Sequence, residues 1–227
     1  MTSPHTLELI SDFICPWCYI GKHRLQLALK HPALNDFSQI EIKWRPYELN
    51  PGLPKEGMDR KEYCRLKFGS DAYAESIYEN IARNAQQDGL LFHHDRITRT
   101  PNTRAAHRLT SFAQQQGEAS VLVDELVNRL FVSYFVDGKN IGDHDVLTEL
   151  AINAGLEKQA VVELLSSDTG TTEVIALEES AYDLGVMGVP GFVMDGVLIL
   201  SGAQDPETIA TRIAQTLERK SASMVSN

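Results

Sequence analysis

The chain has 227 residues, 43% of them hydrophobic and 23% charged, and 31 acidic against 21 basic side chains give a formal charge of −10. That composition belongs to a globular protein with a sizeable core, built as one large domain or as a domain carrying a big insertion. The acidic balance disfavours nucleic acid and anionic membrane surfaces as partners, because both require a basic footprint.

Residues 7–14 form an apolar run (Leu7, Leu9, Ile10, Phe13, Ile14) that reads as a buried strand, and residues 16–30 carry a helical pattern that His31-Pro32 ends. A second strand is expected over Ile40–Tyr47, where Ile40, Ile42 and Trp44 alternate with Glu41, Lys43 and Arg45. Strand, helix and strand in so short a span make a βαβ unit with a parallel pair. Pro46, Pro51, Gly52 and Pro54 mark the loop that leaves it.

From Met58 to Leu165 the period lengthens to that of helices and no strand is expected. The predicted helices are Met58–Phe68, Ala72–Gln87, Pro101–Gln116, Ala119–Phe135, Val146–Ala154 and Lys158–Leu165. Thr100-Pro101 has the form of an N-cap followed by a first-turn proline, and Gly117 and Gly155 stand where C-caps belong. A further helix capped by Thr171 or Thr172 ends at Leu184-Gly185. Two strands then flank Asp195-Gly196, a strong hairpin signal, and a helix spans Pro206–Leu217, leaving Lys220–Asn227 as a frayed tail. The fold class is therefore α/β, a small sheet with helices on both faces. Residues 1–56 and 168–227 make one discontinuous domain, and 57–167 an all-helical insertion.

The chemistry concentrates in Cys15-Pro16-Trp17-Cys18, between the first strand and the first helix. There Cys15 lies at a helix N-terminus, where free N–H groups and the macrodipole favour a thiolate, the reactive form in disulfide exchange. Pro16 has no N–H to satisfy and suits the first turn. Three cysteines make one pair and one single, not a structural disulfide framework. No apolar run approaches the roughly 18 residues of a membrane span, and the start MTSPHTLELISDF lacks the order of a secretion signal. A cytoplasmic location is expected, where disulfides are usually transient and catalytic. Half a zinc site is the competing reading of the pair, but His93-His94 and His107 do not complete a recognisable ligand set, so no metal is expected. Cys64 reads as a small core hydrophobe, His23 as a surface or packed residue, and His93, His94 and Asp95 as a polar loop. Glycine-rich phosphate loops and serine-hydrolase elbows are missing.

CPWC after a first strand, a helical block, and Gly-Val-Pro before a hairpin resemble the thioredoxin-fold superfamily in its DsbA-like branch. SDFICPWCYIGKHRL, PNTRAAHRL, IGDHDVL and GVMGVPGFVMDGVLILSGAQ are more narrowly similar to the FrnE-type oxidoreductases, a branch related to 2-hydroxychromene-2-carboxylate isomerases and kappa-class glutathione transferases. The resemblance spans roughly residues 7–217. It implies a thiol–disulfide oxidoreductase with Cys15 as attacking thiolate, Cys18 as resolving thiol, and a mixed-disulfide intermediate on Cys15. It further implies a cis Val189–Pro190 bond facing the cysteines, with Val189 offering main-chain groups to substrate and Pro16, Trp17 and Pro190 at the contact surface. On this reading Trp17 is exposed and Trp44 is core. Thiol or disulfide substrates, protein or glutathione, are the expected partners. No resident cofactor is implied, and monomer or dimer is left open. Asn102 and Arg104 open a helix similar to the substrate-facing segment of the isomerase/transferase branch.

Two departures from the family pattern stand out. Many thioredoxin-fold enzymes bury an acid on the first strand six residues before the nucleophile, a position held here by Leu9, so Asp12 becomes the candidate for handling the Cys18 proton. No cysteine follows Cys64, so the second pair of some FrnE-type proteins is missing. The isomerase/transferase relatives generally carry Ser at the Cys15 position, which makes a glutathione-dependent isomerase or transferase the rival reading. A non-catalytic binding module is the third.

Overall fold

The computed structural model describes residues 5–35, 37, 40–116 and 120–225. A four-stranded sheet lies at its centre, built from β1 (His5–Ser11), β2 (Ile40–Pro46), β5 (Gly191–Met194) and β6 (Val197–Ser201) in the order β2-β1-β5-β6. The β1–β2 pair is parallel, as the βαβ pattern requires, and α1 (Pro16–Ala28) makes the crossover. β5 and β6 are antiparallel to their neighbours and join in a hairpin whose turn residues Asp195 and Gly196 both have left-handed φ, 47° and 81°. That pairing of conformations suits a two-residue turn and explains why Asp-Gly stands there.

Alternation along the strands assigns the faces. Leu7 and Leu9 of β1 pair with Met194 and Phe192 of β5, and all four are fully buried in the main core with Ile20, Leu25 and Ala28 of α1. Ile209, Ile213 and Leu217 of α9 (Pro206–Val225) complete that face. On the opposite face Ile10 and Val193 pack with Ala181 of α8 (Thr171–Asp183) and with Val186. There Glu8 of β1 holds Arg45 of β2 at 3.1 Å, and Arg45 reaches the Leu177 carbonyl and the Ser180 hydroxyl of α8.

Between β2 and α8 run α2 (Arg60–Phe68), α3 (Asp71–Gln87), α4 (Arg104–Gln115), α5 (Ser120–Phe135), α6 (His144–Ala154) and α7 (Lys158–Ser166). Their apolar stripes, including Leu126, Leu130, Phe131 and Phe135 of α5, are continuous with the core of the sheet. α4 meets the free edge of β2, where Gln114 donates its amide to the Trp44 carbonyl at 2.9 Å and accepts the Trp44 N–H at 2.7 Å. A side-chain amide thus occupies the hydrogen-bonding groups that an edge strand would otherwise present.

The sequence expectations differ from this picture at several points. β3 (Met58–Asp59) and β4 (Arg99–Thr100) form a two-residue ribbon inside the block where no strand was expected, since two residues are too few to show a period. Asp59 is the N-cap of α2. Thr100 does not cap α4: its hydroxyl takes the Arg60 guanidinium at 3.1 Å, and the helix starts at Arg104, three residues beyond the expected Pro101. α8 follows Gly170, in the left-handed conformation, with no side-chain cap. α9 continues past Leu217 to Val225, so most of the expected frayed tail is helix. Gly155 ends α6 with a left-handed φ of 107° as predicted, while Gly117 and Ala119 lie outside the described residues.

The hairpin turn is tied to both ends of the chain. Asp195 accepts from Lys220 of α9 at 2.6 Å, His5 at 2.9 Å and the Thr6 N–H at 2.8 Å. Burial raises its pKa, but these donors outweigh it and bring the carboxyl to about 2. A carboxyl depressed below its unfolded value of about 3.9 adds stability above that pH and loses it as pH falls toward 2. Asp195→Asn should therefore lower the urea midpoint at pH 7, with the gap to the parent protein narrowing as pH drops from about 4 toward 2. An equal gap at pH 7 and pH 3 would remove the charge from the explanation.

Candidate active site

β1 delivers the cysteine pair to the C-terminal end of the sheet. The strand stops at Ser11, and a tight turn, closed by the Cys15 N–H on the Asp12 carbonyl at 3.0 Å, converts it into α1. Cys15 is the N-cap of α1, in extended conformation (φ −87°, ψ 112°), with Pro16 in the first turn. Its thiol therefore stands where the unpaired N–H groups of the helix end lie. Cys18 is one turn in, its N–H bonded to the Cys15 carbonyl at 3.0 Å. Cys15 retains 5% exposure and Cys18 none, and both are free thiols. Burial pushes the Cys18 thiol well above its usual range; the neighbouring Cys15 adds to the shift, and the Asp12 backbone N–H opposes it.

The loop before β5 closes over the pair. Val189–Pro190 is cis, and the Cys15 Sγ lies 3.8 Å from the Val189 carbonyl oxygen. Pro190 is buried against α1, and its carbonyl accepts the Gly202 N–H at 2.8 Å. Around Cys15, Pro16, Trp17 and Val189 are partly exposed, and Met187 of the same loop is 83% exposed. Trp17 was expected to be exposed; it is half-buried and packs on the main core. Trp44 is core as expected.

Beneath the thiols lies a set of ionisable groups that sequence reading largely missed. Asp12 is fully buried, and its carboxylate accepts the Leu49 N–H at 2.7 Å and, at 3.5 Å, the Ile14 N–H. His107 of α4, also buried, lies tilted against Phe13 with ring centroids 4.8 Å apart and brings Nε2 to 3.4 Å from Asp12. Glu48, next to Leu49, has its carboxylate buried under a two-pronged contact from Arg104 at 2.9 and 2.5 Å. The Glu48 N–H donates to Glu178 of α8, whose carboxyl is pushed up by burial and then by Glu48. His107 had been considered only as a metal ligand. The signal available was its spacing of three from Arg104, which puts both on one face of α4.

Arg104 also lines a cavity of about 550 Å³, with Lys55, Asn102, Arg108 and His144 on its wall. Asn102 is used internally, donating to the Leu53 carbonyl and accepting the Arg104 N–H that opens α4. Arg108 binds the carbonyls of Leu164, Ser167 and Thr169, each at 2.6 Å, so it fixes the link between α7 and α8. The remaining candidates are elsewhere. His94 pairs with Glu75 at 3.1 Å, Cys64 is buried with its thiol pushed up by burial, and His23 is half-buried on α1. Among the described residues no cluster of three or more His, Cys, Asp or Glu could hold a metal ion, and no helix is long and apolar enough to cross a membrane.

The family model described as a DSBA-like thioredoxin domain matches residues 6–214. The chain belongs to that family. A probable DsbA oxidoreductase from Streptomyces coelicolor superposes with a TM-score of 0.82 at 31% identity, over 94% of this chain and 90% of that one. More distant DSBA-like folds include a 2-hydroxychromene-2-carboxylate isomerase (TM-score 0.67, 16% identity, 96% and 98% coverage). The cytosolic disulfide reductase DsbM from Pseudomonas aeruginosa is another (0.62, 20%, 95% and 98%). The DSBA-like assignment agrees with the resemblance carried by CPWC and Gly-Val-Pro.

A close approach of α1 to Pro190 makes a test of the geometry. A Cβ on Gly21 would sit 2.8 Å from Pro190 Cγ, a contact that requires the ring or the helix to move. Gly21→Ala gains about 1 kcal/mol in helix propensity, but overpacking of this kind costs about 1–3 kcal/mol. The variant should be less stable in urea unfolding, with altered reactivity of Cys15. A stabilised variant with unchanged thiol kinetics would show that the contact is not restrictive.

Proposed function

We propose that this chain is a thiol–disulfide oxidoreductase working through Cys15 and Cys18. The observation that carries the reading is the placement of Cys15 at the N-terminus of α1, beside the Val189 carbonyl, with Cys18 buried one turn behind it. The helix end favours the negative charge of a Cys15 thiolate. That thiolate attacks a substrate disulfide, forming the Cys15–substrate bond and expelling the other substrate sulfur as thiolate. Cys18 then attacks Cys15, the substrate's second sulfur leaves with a proton, and the Cys15–Cys18 disulfide remains. In the opposite direction a substrate thiolate opens that disulfide through the same intermediate.

Val189 is suited to hold an extended substrate by its main chain, while Pro16, Trp17 and Pro190 shape the surface around Cys15. The cycle needs no resident cofactor. Glutathione is a fitting redox partner, and a structure of DsbM with GSH is among the related folds. Turnover of this kind suits the cytoplasm, where disulfides are transient. The second reading is a glutathione-dependent isomerase or transferase, supported by the related fold of a 2-hydroxychromene-2-carboxylate isomerase.

Cys15→Ser should abolish disulfide exchange, and in Cys18→Ser the remaining Cys15 should still attack a substrate disulfide but stall as a mixed disulfide visible by mass spectrometry. Substantial turnover by Cys15→Ser would end the mechanism. The same proteins separate the two readings: saturable, stoichiometric glutathione binding by a Cys15→Ser, Cys18→Ser protein would favour the isomerase or transferase. In glutathione buffers the native pair should show one reversible two-electron transition in tryptophan fluorescence.

A further inference from the structure

A buried cation on α1 takes no part in the thiol chemistry. Cys18, Lys22, Leu25 and Leu29 follow one another at helical spacings and so share one stripe of the helix. Cys18 and Leu25 belong to the main core and Leu29 packs on it, so Lys22 interrupts an otherwise apolar line. Its side chain is only 2% exposed. A lysine is almost never buried to this degree unless a counter-charge meets it. Among the described residues Lys22 forms no ion pair, and the partner of its Nζ is the side-chain oxygen of Asn128 on α5, at 3.2 Å. An ammonium has three N–H donors, so donor capacity is left over. Burial pulls the Lys22 pKa down, and Asp124 and Glu125 oppose that shift from a distance. Both carboxylates are engaged elsewhere: Asp124 accepts from Gln26 at 3.0 Å, and Glu125 pairs with Arg129 at 2.7 Å.

Lys22 lines a cavity of about 490 Å³ between α1, β2 and α5. Lys22, Leu25 and Trp44 form its buried wall, and Val121, 77% exposed, stands at its rim. Between them Leu29, Ile40 and Ile42 are half-buried. The opening follows from how β2 is covered. Ile40, Ile42 and Trp44 alternate onto one face of the strand, and α4 meets that strand at Trp44 through Gln114, leaving the Ile40 end beside the cavity. A volume of this size is typical of small-molecule sites, which are mostly apolar with a few polar groups that fix orientation. Apolar walls and an ammonium without a counter-charge meet in one place, and a ligand that is apolar along its body and anionic at one end answers both.

We propose that this cavity binds a small apolar monocarboxylate, an alkyl or aromatic acid. Its body lies against Leu25, Leu29, Ile40, Ile42 and Trp44, and its carboxylate accepts from the Lys22 ammonium. The surrounding charges select a single negative charge. Lys22 supplies one counter-charge, while Asp124 and Glu125 on the same wall disfavour a dianion such as a phosphate monoester. An amine would set its charge against Lys22, and a neutral alcohol would leave the buried ammonium without a counter-ion. Burial of the body supplies affinity and the charge-assisted hydrogen bond supplies selectivity. The site lies one helical turn beyond Cys18 but shares no residue with the surface formed by Cys15, Trp17 and Val189. It goes beyond the oxidoreductase reading and does not depend on it.

Octanoate, octanol and octylamine carry the same body with three different head groups, and calorimetric titration of the full chain with each tests the assignment. Octanoate should bind saturably at one equivalent, at least about tenfold more tightly than octanol or octylamine, the low end for a hydrogen bond to a charged group. In a Trp17→Phe background the remaining tryptophan, Trp44, should change its emission with the same midpoint. Lys22→Met, apolar and of similar length, should bind octanoate at least about tenfold more weakly and octanol as the parent does. Ile40→Trp, at a half-buried position, fills the cavity with Lys22 in place and should bind neither. A parent protein with no saturable octanoate binding at millimolar concentration would overturn the proposal. So would an undiminished preference for octanoate in Lys22→Met, or binding to which Trp44 is silent. If Lys22→Met does not fold, Ile40→Trp decides, and octanoate binding there at parental strength would overturn the proposal.

Discussion

The buried Asp12 carboxylate is the constraint on which the site depends. A charge with no exposure is costly unless hydrogen bonds and counter-charges surround it. Here the Leu49 N–H comes from the segment after β2, the Ile14 N–H from the turn itself, and His107 from α4. Meeting the needs of one side chain brings three distant stretches of sequence together. The same residue's carbonyl takes the Cys15 N–H, so the contacts that hold Asp12 also set where α1 begins. Moving that start by one residue would take Cys15 off the N-terminus of α1 and away from its unpaired N–H groups.

The opposite wall is built by packing rather than charge. Gly21 leaves room for the Pro190 ring, Gly191 leaves room for Val186, and the Pro190 carbonyl is bonded to Gly202. Because β5 is paired with β1 along its whole length and the hairpin turn is tied to His5 and Lys220, the loop bearing Val189 has little freedom. Cys15 therefore meets a fixed carbonyl on one side, while Trp17, Val189 and Met187 offer partly or fully exposed surface on the other. Such an arrangement holds the Cys15 sulfur in one fixed setting.

Much of this was legible in the sequence because it is written in short-range signals. The strand-then-CPWC-then-helix order, the alternation in β2 and the Asp195-Gly196 turn each depend on neighbours in the chain, and each element forms. β1, however, runs over His5–Ser11 instead of 7–14, because residues 12–15 are drawn into the turn that starts α1. The helices of the block were visible by period, but their starts were not. Thr100-Pro101 has the local form of a cap, yet Thr100 is drawn into a ribbon with Met58 and binds Arg60, contacts 40 or more residues away along the chain. Trp17 shows a similar override, since α1 lies close enough to the core for its indole to pack there. The polar cluster was least legible. Asp12 could be named from its closeness to the cysteines, whereas Glu48, Glu178 and, apart from its spacing to Arg104, His107 carry no local mark, and only the fold brings them together.

That burial changes how the helical block should be regarded. If the block only covered the site, it would contribute apolar area and a rim. Instead α4 supplies His107 against the strand-end acid, Arg104 against Glu48, and Gln114 against the edge of β2. Glu48 and Asp12 would otherwise be carboxylates buried without adequate partners, and the β2 edge would be open. The sheet is thus electrostatically incomplete without α4, and the helical insertion is integral to the site around the cysteines. Leu9 leaves β1 apolar at that point, and the buried acid stands just past the strand's end, at Asp12, where a helix of the insertion can reach it.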